Sequence, residues 1–152
     1  MKLAEALILR ADYQKRIAQL KQRLLRNAKI QEGDKPAESP KDLLEELEQL
    51  SKDLTLLIQR INKTNSASKI DEEITLSDAL AVRDILSLKH AIYRELAGAA
   101  SVTQDRFSRS EVKFKSTVDI SEIQKRADQL AREHRELDTK IQEANWLTEI
   151  ME

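Results

Sequence analysis

The sequence predicts an all-α fold, in which long antiparallel helices form a four-helix bundle or coiled coil with a short strand-like crossover before the last helix. Charged residues make up 35 % of the 152 residues and aromatic residues only 3 %, with two glycines and two prolines. This composition favours helices joined by apolar seams over sandwiches or barrels. Apolar residues also recur at alternating spacings of three and four, which indicates amphipathic helices. The length fits one helical domain covering residues 1–152.

The first predicted helix covers about residues 2–30. Its seam positions, spaced alternately by three and four, are Leu3, Ala6, Arg10, Tyr13, Ile17, Leu20, Leu24 and Asn27. The following stretch QEGDKPAESP collects Gly, Pro, Asp and Ser and predicts a loop. A second helix follows over residues 40–62, because Ser39 can cap it and Pro40 suits its first position. The polar run NKTNSAS then predicts its end, with Asn62 to Thr64 as capping residues.

The third predicted helix covers residues 76–100 and starts at a capping signature, Thr75 with Asp78. Its apolar residues cover more than a narrow seam, so we expect it to be well packed. Residues 111–118 alternate between apolar and polar side chains, which predicts a short strand that needs a partner. The last helix, residues 119–151, begins at a capping Asp119 and keeps its seam over four heptads.

The formal net charge of −1 excludes a global basic field that would draw the chain to nucleic acid or to an anionic membrane. Two local basic clusters remain. The segment from Tyr13 to Gln31 contains six basic and no acidic residues, and the crossover segment 104–118 contains four basic and two acidic ones. Antiparallel packing would put both clusters at one end of the bundle. The candidate residues for binding an anion or a partner there are Arg23, Arg26, Asn27, Arg106, Arg109, Ser110 and Lys113.

A structural interpretation of the same charges is favoured for the first cluster. Basic residues at the end of the first helix would pair with the acids that open the second helix, namely Asp42, Glu45, Glu46 and Glu48. The crossover aromatics Phe107 and Phe114 could stack on a nucleobase, but pinning the crossover to the bundle is favoured.

The opposite end of the predicted bundle carries apolar residues that point in several directions. Leu7, Ile8, Trp146 and Ile150 are the candidates for an oligomer interface there, because a two-helix contact would not cover them all. We therefore expect a homo-oligomer.

Chemical motifs are absent from the sequence. It has no cysteine, no Gly-rich phosphate loop and no hydrolase or zinc-protease motif. Neither His90 nor His134 has Glu three residues before it, as a di-metal bundle would require. We therefore predict no catalytic residue, metal or cofactor, and an enzyme is the least favoured class. The N-terminus lacks a signal peptide and no stretch approaches about 20 apolar residues, which predicts a cytoplasmic protein.

Four stretches carry a family resemblance. The opening MKLAEALILRADYQKRIAQLKQRLLRNAKIQEGD, the internal RINKTN and QDRFSRSEVKFKSTVDI, and the closing RELDTKIQEANW resemble the septicolysin-like family of small bacterial proteins. The resemblance covers nearly the whole chain and brings no catalytic residue with it. The family name implies a membrane-active cytolysin.

The residues themselves favour a different function. We expect a cytoplasmic, homo-oligomeric helical interaction or scaffold protein, with the basic crossover as its recognition element. Two alternatives stay open, the cytolysin implied by the resemblance and the binding of nucleic acid or another anion through the basic end of the bundle.

Overall fold

The computed structural model describes residues 1–101 and 113–152, and it confirms the predicted all-α fold. The described residues form four helices, which are α1 (Leu3–Arg26), α2 (Pro40–Ala67), α3 (Leu76–Ala100) and α4 (Ile120–Leu147). They form no sheet, only two isolated antiparallel bridges, Lys2 with Glu149 and Lys69 with Thr75. The chain divides into two compact units. Unit 1 comprises Met1–Thr75 and Gln142–Glu152, and unit 2 comprises Leu76–Ile141.

In unit 1, α1 and α2 form an antiparallel hairpin around a leucine core. The buried residues of this core are Leu20, Leu43 and Leu50, and the half-buried residues packed against them are Tyr13, Ile17, Leu24 and Leu47. The four members from α1, Tyr13, Ile17, Leu20 and Leu24, occupy seam positions of the first predicted helix. Burial of these side chains is the main force that holds α1 against α2.

The α1–α2 connection is longer than predicted, because α1 ends at Arg26 rather than near residue 30. Asn27 stops the helix: its side-chain Nδ2 donates to the Arg23 carbonyl at 2.8 Å. Gly33 turns the connection with a φ of +91°, in the left-handed region that favours glycine. α2 starts at Pro40 as predicted, with the Ser39 hydroxyl accepting a hydrogen bond from the Asp42 amide.

α2 continues to Ala67, five residues beyond the predicted end, so the proposed capping role of the Asn62–Thr64 run does not hold. Thr64 is fully buried, and its hydroxyl donates to the Arg60 carbonyl at 2.7 Å. The same hydroxyl accepts from the Met151 amide at 2.9 Å. Because these bonds satisfy the hydroxyl without leaving the helix, this polar residue does not terminate it.

α4 starts at Ile120, after an Asp119 side chain that accepts from the Glu122 amide at 3.3 Å. It ends at Leu147, and residues 148–152 leave the helix to join the N-terminus. The Leu3 amide donates to the Thr148 carbonyl and the Ile150 amide to the Met1 carbonyl, both at 2.9 Å. The predicted continuation to residue 151 is replaced by this pairing.

The strand prediction for residues 111–118 is wrong for its described part. Residues 113–118 belong to no ladder, while 111 and 112 lie outside the described residues. Within residues 113–118, the Ser116 hydroxyl donates to the Val118 carbonyl at 2.7 Å and accepts from the Val118 amide at 3.3 Å. A strand requires a partner for its backbone groups, and an alternating pattern does not supply one.

Candidate interaction surfaces

Two of the three anion-binding candidates at the end of α1, Arg23 and Asn27, belong to a hydrogen-bonded network. The Arg23 Nε donates to both Glu38 carboxylate oxygens, at 3.1 and 3.2 Å, and its Nη2 forms an ion pair with the same group. The Glu38 amide donates to the Asn27 Oδ1 at 3.1 Å. Arg23 and Asn27 thus fasten the α1–α2 connection to the end of α1. Arg26 is exposed.

The ion pair between Arg23 and Glu38 shifts the pKa of both groups. The hydrogen bond from Arg23 is the largest cause that lowers the pKa of the Glu38 carboxyl below its ordinary value, and partial desolvation opposes it. The same bond raises the pKa of Arg23. This two-pronged contact between a guanidinium and a carboxylate is a strong type of charged hydrogen bond. A structural pairing of the first basic cluster is therefore present at Arg23. Its ion-pair partner is Glu38, and Glu46 of α2 adds a smaller electrostatic attraction.

Most of the crossover segment 104–118 lies outside the described residues. Arg106, Arg109, Ser110 and Phe107 are outside the described residues. Lys113 is exposed. Phe114 is 79 % exposed, so it does not pin the crossover to the described part of the chain. It lines a shallow groove of about 440 Å³ with the end of α3 and with residues 115–118.

The joined termini form a connected polar cluster in unit 1. The Lys2 ammonium contacts Glu149 at 2.7 Å, and the Met1 amino group contacts it at 3.1 Å. These cations lower the pKa of the Glu149 carboxyl, Lys2 through the larger effect. On the α2 side, the Arg60 Nε donates to the Met151 carbonyl at 3.1 Å. Residues 148–152 are therefore held from two sides.

The predicted oligomer-interface residues lie around these termini with unequal exposure. Ile8 is 62 % and Trp146 54 % exposed, and Leu147 beside it is 69 % exposed. Leu7 is half-buried, whereas Ile150 is buried and does not belong to the open surface. Ile8 and Trp146 both lie within about two helical turns of the bond between Leu3 and Thr148. We refer to Leu7, Ile8, Trp146 and Leu147 as the end patch.

α3 departs from the prediction of a well-packed helix. Its buried residues are only Leu76, Ala79 and Ala97. Five larger apolar side chains are instead exposed, and these are Val82, Ile85, Leu88, Ile92 and Leu96. We refer to these five as the α3 stripe. A periodic apolar pattern predicts that one face of a helix will be buried. It does not identify the residues that cover that face.

Unit 2 also contains a polar groove between α3 and α4. It measures about 400 Å³, and its polar lining includes His90, Arg94 and Asp128. Elsewhere in this unit the Arg83 Nη1 donates to Asp138 at 2.8 Å and joins the two helices. Within residues 1–101 and 113–152, no three His, Cys, Asp or Glu side chains group closely enough to hold a metal ion. His90 lines a shallow polar groove whose charged residues are Arg94 and Asp128.

The structural roles of three residues were not predicted from the sequence. These residues are Glu38, Thr64 and Glu149. Each acts through a contact between distant parts of the chain or through a connection without periodicity. Only Thr64 left a signal, because a threonine inside a helix can donate to the carbonyl four residues earlier. Glu38 and Glu149 look like any other surface acid in the sequence.

The four described helices differ from membrane-spanning segments. None of them combines the length and the apolar character that crossing a bilayer requires. The buried faces of α1 and α2 pack against one another instead.

Comparison with known proteins places the chain in a family. The model of a family of unknown function (DUF6847) matches residues 10–150. A crystal structure of a functionally unknown conserved protein from Corynebacterium diphtheriae is 50 % identical, with a TM-score of 0.94, and the match covers 99 % of each chain. No curated protein matches. These findings show that the septicolysin-like resemblance is wrong, and with it the cytolysin loses its only support.

Proposed function

The chain belongs to this family of unknown function, DUF6847, and we propose that it works in the cytoplasm as a homo-oligomeric helical scaffold that binds other macromolecules. The observation that carries the proposal is the end patch. Its exposed members are a tryptophan, a leucine and an isoleucine next to a hydrogen-bonded pair of termini. Aromatic residues with apolar neighbours are enriched in the centres of protein interfaces.

The polar contacts around the end patch support a preformed surface. Lys2 and Glu149 tie the termini to each other, and Arg60 with Thr64 ties residues 148–152 to α2. A surface fixed in this way loses little conformational freedom on binding, which favours affinity. Trp146 and Leu147 lie at the end of α4, directly before this fixed segment.

The oligomer can be tested through the only tryptophan of the chain. Ile8→Glu with Trp146→Phe keeps an aromatic ring but adds a charge to the patch, and we expect native mass spectrometry to give the 17.5 kDa chain mass in place of a multiple. In the wild type, dilution should shift the Trp146 emission to longer wavelengths as the ring meets water.

Leu44→Glu is the matched control for this test. Leu44 is similarly exposed, at 50 %, but it lies about 24 Å along α2 from Arg60. The control should keep the wild-type mass. A wild-type emission that does not change over a hundredfold dilution across the dissociation range, or a mass unchanged by Ile8→Glu with Trp146→Phe, would remove the end patch from the interface.

The basic crossover is the recognition element that we propose for this scaffold, with Arg106, Arg109, Ser110 and Lys113 as the contact residues. Its support is the local excess of basic residues in segment 104–118 together with the exposure of Lys113 and Phe114. Arg23 and Asn27 are left out of the contact set, since their polar groups bind Glu38 and the α1 backbone. Arg26 stays a candidate because it is exposed.

Charge reversal separates recognition from folding. Arg106→Glu, Arg109→Glu and Lys113→Glu together should abolish capture of anionic partners from a cell extract, while the melting temperature stays within a few degrees. Reversing three exposed cations of α4, Lys125, Arg135 and Lys140, adds the same charge elsewhere and should keep the partners. Loss of stability without loss of any partner would show the crossover to be a structural connector.

A further inference from the structure

The α3 stripe is the longest exposed apolar surface on any described helix. Its members are exposed by 46 % at Val82, 54 % at Ile85, 56 % at Leu88, 54 % at Ile92 and 38 % at Leu96. Each of these side chains therefore retains about half of its surface in contact with water. Exposed apolar residues are common when they are scattered singly, but a continuous row of five requires an explanation.

The spacing of the stripe matches a helical partner. Its members follow one another at intervals of three, three, four and four residues, so they lie within a sector of roughly 120° on α3. From Val82 to Leu96 the stripe is about 21 Å long at 1.5 Å per residue. A straight apolar sector of this width and length accepts the apolar face of one other helix. The buried residues Ala79 and Ala97 of α3 occupy a different sector, about 120° from the centre of the stripe.

We propose that the α3 stripe pairs with the α3 stripe of a second copy of this chain across a twofold axis. The apolar area of the stripe supports a second copy of the chain as its partner. Five half-exposed aliphatic side chains present on the order of 400 Å² of apolar surface, which is the size of the largest apolar patch on a typical monomer, and such a patch is often functional. Interfaces are roughly 60 % apolar, so such a core with its polar rim approaches the ~800 Å² per partner of a stable complex.

The charges also suit two identical surfaces. The net charge of −1 gives two copies almost no mutual repulsion. Asp84 and Glu95 are exposed beside the stripe and supply a polar rim. Lys89 is half-buried next to Leu88, and its long side chain can bring the ammonium to the edge of the contact. One polar residue at such a seam sets the register of helix pairing at some cost in stability.

This contact is separate from the end patch. The stripe belongs to unit 2, whereas the end patch belongs to unit 1. A chain with two self-complementary surfaces forms assemblies larger than a dimer, closed or extended according to the angle between its two axes. A contact through α3 can therefore hold even if the end patch does not bind a second copy, and the two can be tested separately.

Disulfide trapping tests the stripe directly, since the chain has no cysteine of its own. Leu88→Cys places one thiol near the middle of the stripe, where a twofold axis brings it close to its counterpart. With diamide as the oxidant, two thiols form one disulfide while diamide takes up two electrons and two protons. We expect most of the protein to migrate at twice the 17.5 kDa chain mass.

Ala91→Cys is the matched control, an exposed position on the same helix but about 100° round from Ile92. It should cross-link at least tenfold more slowly. Ile85→Glu with Ile92→Glu in the Leu88→Cys chain should abolish the cross-link, while circular dichroism shows a folded protein. Ile8→Glu with Trp146→Phe in the same chain should leave the cross-link intact and so separate the two surfaces.

Two results would overturn the proposal. One is a folded Leu88→Cys chain that stays monomeric under oxidation, which would assign the stripe to a different partner. The other is equal cross-linking at Leu88→Cys and Ala91→Cys, which would indicate random collision. If only the end-patch variant changes the native mass while Leu88→Cys remains monomeric, the stripe proposal fails and the end-patch proposal stands.

Discussion

The α1–α2 hairpin and helix α3 carry the same kind of apolar pattern and use it differently. In the hairpin, the seam is covered within the chain, and Leu20 is 1 % exposed against Leu43 and Leu50. In α3, Leu88 is 56 % exposed at the middle of an equally regular stripe. The difference teaches that periodicity determines the secondary structure and its apolar face, whereas the chain topology determines whether that face finds a partner in the same molecule.

The hairpin and the termini share a second feature that the apolar side chains of the α3 stripe lack, although Arg83 joins α3 to α4 through Asp138. Each is fastened by polar contacts between distant residues, Arg23 with Glu38 in one case and Thr64 with Met151 in the other. Regions of this kind hold their geometry without help from another molecule. We expect the α3 stripe to depend on a second copy of the chain to cover its apolar side chains.

Truncating one leucine in each region gives the largest contrast. Leu20→Ala should lower the free energy of unfolding by about 2–5 kcal/mol, because it leaves a cavity in a packed core. Leu88→Ala should change the stability of the isolated chain by no more than about 0.5 kcal/mol, as for other exposed positions. Urea unfolding at low protein concentration measures both. Equal losses would mean that Leu88 is covered within its own chain.

Removing one hydroxyl from the buried end of α2 should have the next largest effect. Thr64→Val keeps the side-chain shape but leaves the Met151 amide without its acceptor, at a cost of about 1–3 kcal/mol. Thr64→Ser keeps the hydroxyl and should recover most of this loss. Hydrogen exchange at the Met151 amide should become faster in the valine variant only. Unchanged exchange there would show that the terminal segment is held by other contacts.

Removing the cap of α1 tests the connection. Asn27→Ala loses the bonds to the Arg23 carbonyl and from the Glu38 amide, which together contribute about 1 kcal/mol. Asn62→Ala, at an exposed position inside α2, is the control and should leave stability unchanged or slightly higher. If both variants unfold at the same urea concentration, the network around Glu38 contributes nothing measurable.

Acid should weaken the joined termini, where the Glu149 carboxylate contacts Lys2 and the N-terminal amino group. The pKa of Glu149 is lowered in the folded protein, so its contribution is complete above the ordinary value of 4.5 and is lost as the pH falls through the lowered pKa. Glu149→Gln removes the contribution of this carboxylate to the free energy of unfolding. The variant should therefore be less stable than the wild type near neutral pH and become equal to it in strong acid. Because the group is exposed, the effect is the smallest of the four. Parallel pH profiles would contradict this role.

The sequence predicted much of the fold for a physical reason. The helix class and the seam positions of α1, α2 and α4 follow from periodic apolar residues, which act locally along the chain. The start of α2 followed from Ser39 and Pro40, whose effects are equally local. The end of α2 was misplaced because Thr64 is satisfied by the far terminus, and no local pattern contains that contact.

The surfaces were harder to predict than the helices. Ile8 and Trp146 were predicted at an oligomer interface, because residues apolar in several directions exceed what one neighbouring helix covers, and both are exposed. Ile150 satisfied the same criterion, yet it is buried beside the termini through backbone pairing that periodicity does not encode. Exposure of the α3 stripe was missed, since an apolar face looks the same in sequence whether it is covered by its own chain or by another.

Hydrogen–deuterium exchange at two protein concentrations tests the central contrast most directly, because association stabilises only the regions that it covers. On raising the concentration about a hundredfold, from below to above the range of association, amides of α3 around Leu88 should become more protected. Amides of the α1–α2 hairpin around Leu20 and Leu43 should keep their exchange rates. Equal protection of α3 at both concentrations, or a change in the hairpin as large as that in α3, would contradict the account.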